Sequence, residues 1–139
     1  MSDAPPSTSE PHGELVIRTI AMPADTNPNG DIFGGWLMTQ MDLGAAIYAR
    51  NLSRSRVTTV AVDGMAFLTP VNVGDIVNVH ASLLKVGHTS MKIAVEAWVQ
   101  RETHGRLLRV TTAVFTYVAL DKAGRPQPVH REGVPDSPI

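Results

Sequence analysis

The sequence predicts an α+β domain in which one long helix packs against an antiparallel sheet of five to six strands. Three observations carry this. Residues 34–50 form the one long segment with apolar residues at helical spacing; residues 76–86 and 91–99 alternate with period two; and the order is strand, helix, then four strands in succession. A sheet covering one face of a single helix is the economical way to bury both apolar surfaces.

Each element has its own signal. Residues 15–22 are short and β-branched, which predicts a first strand. In the helix Leu37, Met41, Ala45 and Tyr48 recur on one face with no proline to interrupt them. Residues 57–68 form the next strand, rich in β-branched side chains and stopped by Thr69-Pro70. After the turn Val73-Gly74-Asp75, residues 76–86 place Val77, Val79, Ala81 and Leu83 on one face. Met91, Ile93, Val95, Ala97 and Val99 alternate again, so Val86-Gly87-His88-Thr89 reads as a hairpin turn. Thr103-His104-Gly105 is the next turn, and residues 107–120 make a long final strand.

Composition bounds the function. At 139 residues with 43% hydrophobic content, the chain is one domain with one core. A net charge of −1 gives no reason to expect nucleic acid or a membrane surface as partner. The absence of cysteine excludes a disulfide framework, thiolate zinc ligation and a cysteine nucleophile. Residues 1–14 are rich in proline, serine and acids and lack an apolar stretch, so they are not a secretory signal. No apolar run approaches the length of a membrane span, and the expected location is the cytoplasm. Residues 1–13 and 123–139 offer too little apolar surface to offset their ordering entropy, so both are expected to be flexible tails around a domain at 14–122.

The chemistry concentrates at the helix. Asn27-Pro28-Asn29-Gly30-Asp31 is a polar turn that leads through Ile32-Phe33 into the pair Gly34-Gly35, and Asp42 follows about two helical turns later. Glycines at a helix start let a ligand carbonyl approach free N–H groups at the positive end of the dipole. A tight turn into a helix is also the commonest use of such a pair. From Ile32 to Ala49, Asp42 is the only charged group. It is either buried, and then paired or used, or it lies on a narrow solvated edge with Thr39 and Arg50, which share its arc. Gly44, Ala45 and Ala46 beside it leave room for a ligand or for a second backbone. One of Asn27, Asn29 and Asp31 is expected to serve only as an N-cap or Asx turn.

Several separated motifs, in order, strongly resemble the hotdog-fold acyl-CoA thioesterases of the YciA-like branch. They are Met22-Pro23-Ala24-Asp25-Thr26-Asn27, the step Gly30-x-x-Phe33-Gly34-Gly35, Gln40-Met41-Asp42, residues 58–63, Phe67-Leu68-x-Pro70-Val71-x-Val73-Gly74-Asp75 and residues 86–90. The resemblance spans residues 15–121. It implies hydrolysis of an acyl-CoA to coenzyme A and a carboxylic acid, with Asp42 as nucleophile or general base. It also implies that Asn27 is its partner across a dimer interface, within a dimer or trimer of dimers, and that the Gly34-Gly35 backbone holds the thioester oxygen.

Coenzyme A needs cations for its phosphates, and Arg54, Arg56, Lys85 and Arg109 are candidates, although most such side chains are simply solvated. Lys85 leads, because it precedes the turn that resembles the family's coenzyme A loop. Thr59, Val60, Ala61, Gly87, Thr89 and Ser90 complete the implied binding set, with a small residue at Ala61 as a departure. Coenzyme A is part of substrate and product, so no cofactor is expected. His12, His80, His88, His104 and His130 lack metal-ligand spacing, and no metal is expected. Trp36, Trp98, Met38, Met41 and Met91 read as core or acyl-pocket lining. No nucleophile-elbow serine or phosphate-binding loop is present. Two other readings keep the fold: a non-catalytic acyl-CoA sensor, which should lack the acid or carry a DNA-binding module, and an acyl-thioester hydratase or dehydratase, which should have a histidine near the helix.

Overall fold

One long helix and five strands dominate residues 10–102 and 105–131, which this computed structural model describes. They run β1 Glu14–Ile20, α1 Gly34–Ser53, β2 Arg56–Asp63, β3 Ile76–Val86, β4 Ser90–Gln100 and β5 Leu107–Leu120, with a short 3-10 turn at Pro23–Asp25 after β1. The sheet order is β1-β3-β4-β5-β2, and every adjacent pair is antiparallel. The first two strands in sequence therefore lie at opposite edges, because α1 crosses the sheet between them.

The core sits between α1 and one face of the sheet. Met91, Ile93, Val95, Ala97 and Val99 on β4 are fully buried, as their alternation predicts, and Phe115, Tyr117 and Ala119 join them from β5. Leu37, Met41, Ala45, Ala49 and Leu52 supply the helix side. Gly44 belongs to this face too: a Cβ there would lie 2.7 Å from Val16 Cγ2 and 2.9 Å from Ile17 Cγ1. Its smallness makes room for the side chains of Val16 and Ile17 on β1, neither for a second backbone nor for a ligand.

The structure departs from the sequence reading at three places. β2 stops at Asp63, not residue 68, because Gly64 turns to φ +71 and takes the chain off the ladder. Beyond it isolated bonds join the chain to β5, from Thr111 Oγ1 to the Ala66 carbonyl at 2.6 Å, from Leu68 N–H to the Val110 carbonyl at 2.7 Å and from Thr69 Oγ1 to the Arg109 carbonyl at 3.2 Å. The helix runs to Ser53 and ends at Arg54, which takes the left-handed conformation at φ 52. Third, the stretch from residue 123, expected to be loose, folds back as far as 131. Gln127 N–H bonds the Ala119 carbonyl at 2.8 Å, Val129 N–H bonds the His88 carbonyl at 2.9 Å, and Val129 is buried. One valine and a few backbone bonds suffice to seat a segment whose composition is polar. Residues 1–9, 103–104 and 132–139, including Thr103, His104 and the ends of both expected tails, lie outside the described residues.

The loop after β2 is held by an ion pair. Asp75 is buried and meets Arg101 at 3.0 Å, accepts the Asn72 N–H at 2.8 Å, and leaves Arg101 Nη2 to donate to the Pro70 carbonyl at 2.8 Å. The hydrogen bonds that Arg101 donates to Asp75 raise the Arg101 pKa, so the guanidinium stays charged.

Candidate active site

Asp42 stands mid-helix, half-buried, with its side chain toward the β2–β5 end of the sheet. Its Oδ1 accepts two hydroxyl bonds, from Thr59 Oγ1 at 2.7 Å and from Tyr117 Oη at 2.7 Å. Tyr117 Oη also lies 3.1 Å from the Asp42 carbonyl oxygen. Among the described residues Oδ2 accepts no hydrogen bond. Both open readings of this acid are thus half right. The carboxylate is partnered, and it also lines an open groove of about 380 Å³ with Gly35, Met38, Thr39, Leu43, Val62 and Phe115.

Tyr117 is the site residue that sequence reasoning missed. It is fully buried, and burial first, then the Asp42 bond and charge, push its phenol far above the ordinary value of 10. It remains a protonated donor. The available signal was a hydroxyl at an inward position of β5, between Phe115 and Ala119, on a face otherwise apolar.

The helix start is open in the way the glycine pair suggests. Phe33 is the N-cap residue and offers no side-chain cap, and the first bonded N–H groups are those of Trp36 and Leu37, both to the Phe33 carbonyl. The Gly34 and Gly35 N–H groups have no acceptor among the described residues. Asn27 turns out to be the Asx turn: its Oδ1 accepts the N–H groups of Asn29 at 2.9 Å and Asp31 at 3.1 Å. That fixes the loop and leaves the carboxamide NH₂ as the group able to reach outward.

Asn27 and Asp42 line two different grooves. Asn27 and Gly34 line a separate pocket of about 290 Å³ walled by Phe33, Leu37, Phe67 and Val71, while Gly35 and Asp42 line the other. The glycine pair straddles the boundary.

The remaining site candidates divide by position. Thr59, Val60 and Ala61 lie on edge strand β2 beside Asp42, at a bulge between Thr59 and Ala61. Arg56 pairs with Leu120, Thr58 with Val118 and Ser90 with Val118, so the 86–90 turn and the start of β2 meet at one end of the sheet. Gly87 N–H closes that turn on the Ser90 carbonyl at 2.8 Å, Thr89 accepts the Ala119 N–H at 2.9 Å, and Lys85 is exposed beside it. Arg54 and Arg50 border a polar groove at the far end of α1. Arg109 is elsewhere: it pairs with Trp98, eight residues along β5 from Tyr117, or about 26 Å. Trp98, Met41 and Met91 are core-buried, Trp36 is partly so, and Met38 lines the Asp42 groove. Among the described residues no three His, Asp or Glu side chains group to hold a metal, and no helix is long and apolar enough to cross a membrane.

A long helix wrapped by a five-stranded antiparallel sheet, with an acid at mid-helix facing a groove, is the hotdog architecture of thioester chemistry. The chain belongs to the thioesterase superfamily, whose pattern matches residues 29–105. It is 54% identical over 126 residues to the acyl-CoA thioester hydrolase YciA of Salmonella typhimurium, covering 88% of this chain and 95% of that protein. Among solved structures it is similar to the hexameric thioesterase y2039 of Yersinia pestis, with 55% identity, a TM-score of 0.83, and 92% and 100% of the two chains covered. It is also similar to HI0827, a hexameric broad specificity acyl-coenzyme A thioesterase solved with an aspartate replaced by alanine, at 51% identity, a TM-score of 0.84, and coverage of 88% and 91%.

Proposed function

We propose that this chain is an acyl-CoA thioester hydrolase in which Asp42 is the reacting carboxylate. The observation that carries the reading is a carboxylate with Oδ1 engaged and Oδ2 open, in a groove also lined by Gly35. The Gly34 and Gly35 N–H groups lie seven to eight residues, about 11–12 Å of helical rise, from Asp42 of the same chain, so the pair that holds the thioester oxygen comes with Asn27 from the second protomer. That oxygen gains negative charge as its carbon is attacked, and the helix dipole favours that charge. Either Oδ2 attacks the carbon, giving a mixed anhydride that water then opens, or Oδ2 takes a proton from an attacking water. In both routes the carbon–sulfur bond breaks, one water is consumed, and coenzyme A leaves as a thiol beside a free carboxylate. No metal or cofactor enters these steps.

The segments at the β2–β5 end supply the nucleotide side of the site, with Arg56, Thr59, Val60, Ala61, Lys85, Gly87, Thr89 and Ser90 around coenzyme A. Asn27 acts from a second protomer, which fits its placement in a different groove from Asp42. The assembly is a dimer or a trimer of such dimers, in keeping with the hexameric relatives, and the enzyme works in the cytoplasm.

Complementation tests this arrangement. Asp42→Ala is expected to lose about 1,000-fold or more of thiol release from acyl-CoA, and Asn27→Ala to lose less. Mixed under subunit exchange, the two form hybrids with one intact site, and activity returns in part. Full activity of Asp42→Ala sinks the chemical reading. Confirmed exchange without recovery sinks the shared site alone.

A further inference from the structure

We propose that Tyr117 and Thr59 act together as a two-hydroxyl clamp that sets which oxygen of Asp42 reacts. The inference rests on the reading of Asp42 as the reacting group and adds two positioning residues to it. Thr59 and Tyr117 are direct cross-strand partners on β2 and β5, so their side chains emerge side by side on one face of the sheet. Both hydroxyls end 2.7 Å from the same atom, Asp42 Oδ1.

The surroundings explain why these two residue types are needed. A carboxylate on a helix has a freely turning terminal torsion, and either oxygen can swing toward a substrate. Two donors on one oxygen fix the plane of the group and leave the lone pairs of Oδ2 aimed into the groove. Tyr117 is anchored from all sides: its ring stacks near Phe115, with centroids 6.3 Å apart, and its residue is fully buried. Its hydroxyl also lies within 3.1 Å of the Asp42 carbonyl oxygen, so one phenol gauges the helix backbone and the side chain at once. Thr59 sits on an exposed edge strand, where a side chain would otherwise wander. The bulge that follows it, with a register shift between Thr59 and Ala61, is the kind of local distortion that re-aims a strand side chain toward a site. Edge strand, bulge and buried phenol thus converge on one oxygen.

The role is orientation, and the substitutions can be made nearly shape-neutral. Tyr117→Phe keeps the ring and removes the hydroxyl; Thr59→Val keeps the branching; Thr59→Ser keeps the hydroxyl. Steady-state hydrolysis of one acyl-CoA below the melting temperature is the measurement. Tyr117→Phe is expected to lower kcat about 10- to 100-fold while KM stays within about twofold, because a turned carboxylate misplaces the attack without weakening substrate binding. Thr59→Val is expected to lower kcat in the same manner but less, and Thr59→Ser to restore it. A Tyr117→Phe protein with a lower melting temperature and the parent kcat overturns the clamp and leaves a purely structural bond. Equal kcat for Thr59→Val and Thr59→Ser removes Thr59 from it. If Asp42→Ala, run alongside, matches the parent, the underlying hydrolase reading fails and the clamp fails with it; if Asp42→Ala is inactive and Tyr117→Phe is not impaired, only the clamp fails.

Discussion

The two faces of α1 carry glycines of opposite purpose. On the inner face Gly44 lies among Leu37, Met41, Ala45, Ala49 and Leu52, and a Cβ there would press to 2.7 Å against Val16. On the outer face Gly35 lies in the Asp42 groove, and a Cβ there would meet nothing within 4 Å. The same residue type is used once to admit the side chains of Val16 and Ile17 and once to leave N–H groups uncovered. The outer face also keeps large apolar groups in the open, with Leu43 52% and Ile47 46% exposed. One side of the helix is closed by packing, and the other is open.

Three substitutions sharpen or break this contrast. Gly44→Ala is expected to have the largest effect on the fold, about 1–3 kcal/mol of destabilisation from overpacking against Val16 and Ile17. Thermal unfolding measures it, and an unchanged melting temperature shows that β1 yields easily. Gly35→Ala should act in the reverse sense. The fold gains up to about 1 kcal/mol of helix propensity, whereas kcat drops about tenfold as the methyl crowds the N–H donors. Parent-like turnover in that variant removes the glycine N–H groups from the oxygen-binding role. Ile47→Ala is expected to change stability least, within about 0.5 kcal/mol, as befits an exposed position. A loss as large as that at Gly44, shrinking or growing with protein concentration, shows instead that the outer face is covered by another copy of the chain.

Much of the fold was legible because its signals are local. Alternation in residues 91–99 assigns each side chain to one face of a strand, and burial of all five apolar positions follows from that single pattern. The glycine-to-acid spacing placed Asp42 at mid-helix, since helical rise is constant. The readings that failed were those needing a global context. Residues 64–68 are as apolar as a strand, yet Gly64 adopts a positive φ that composition does not announce. Residues 123–131 look unable to fold alone, and they do not have to, because β5 and the 86–90 turn are already there to receive Val129.

By itself, then, the amino-acid order determined the single helix, the succession of strands, the inward and outward positions along each, and the presence of one acid behind a glycine pair. It also carried motifs specific enough to point to a family. What only the tertiary structure decided is which distant residues meet that acid. Thr59 lies 17 residues and Tyr117 lies 75 residues from Asp42 along the chain. They converge because β2 pairs with β5 in a register that sets Thr59 opposite Tyr117, with a bulge beside them. Register and sheet order are settled by the simultaneous packing of all five strands on one helix, and no local periodicity encodes that sum.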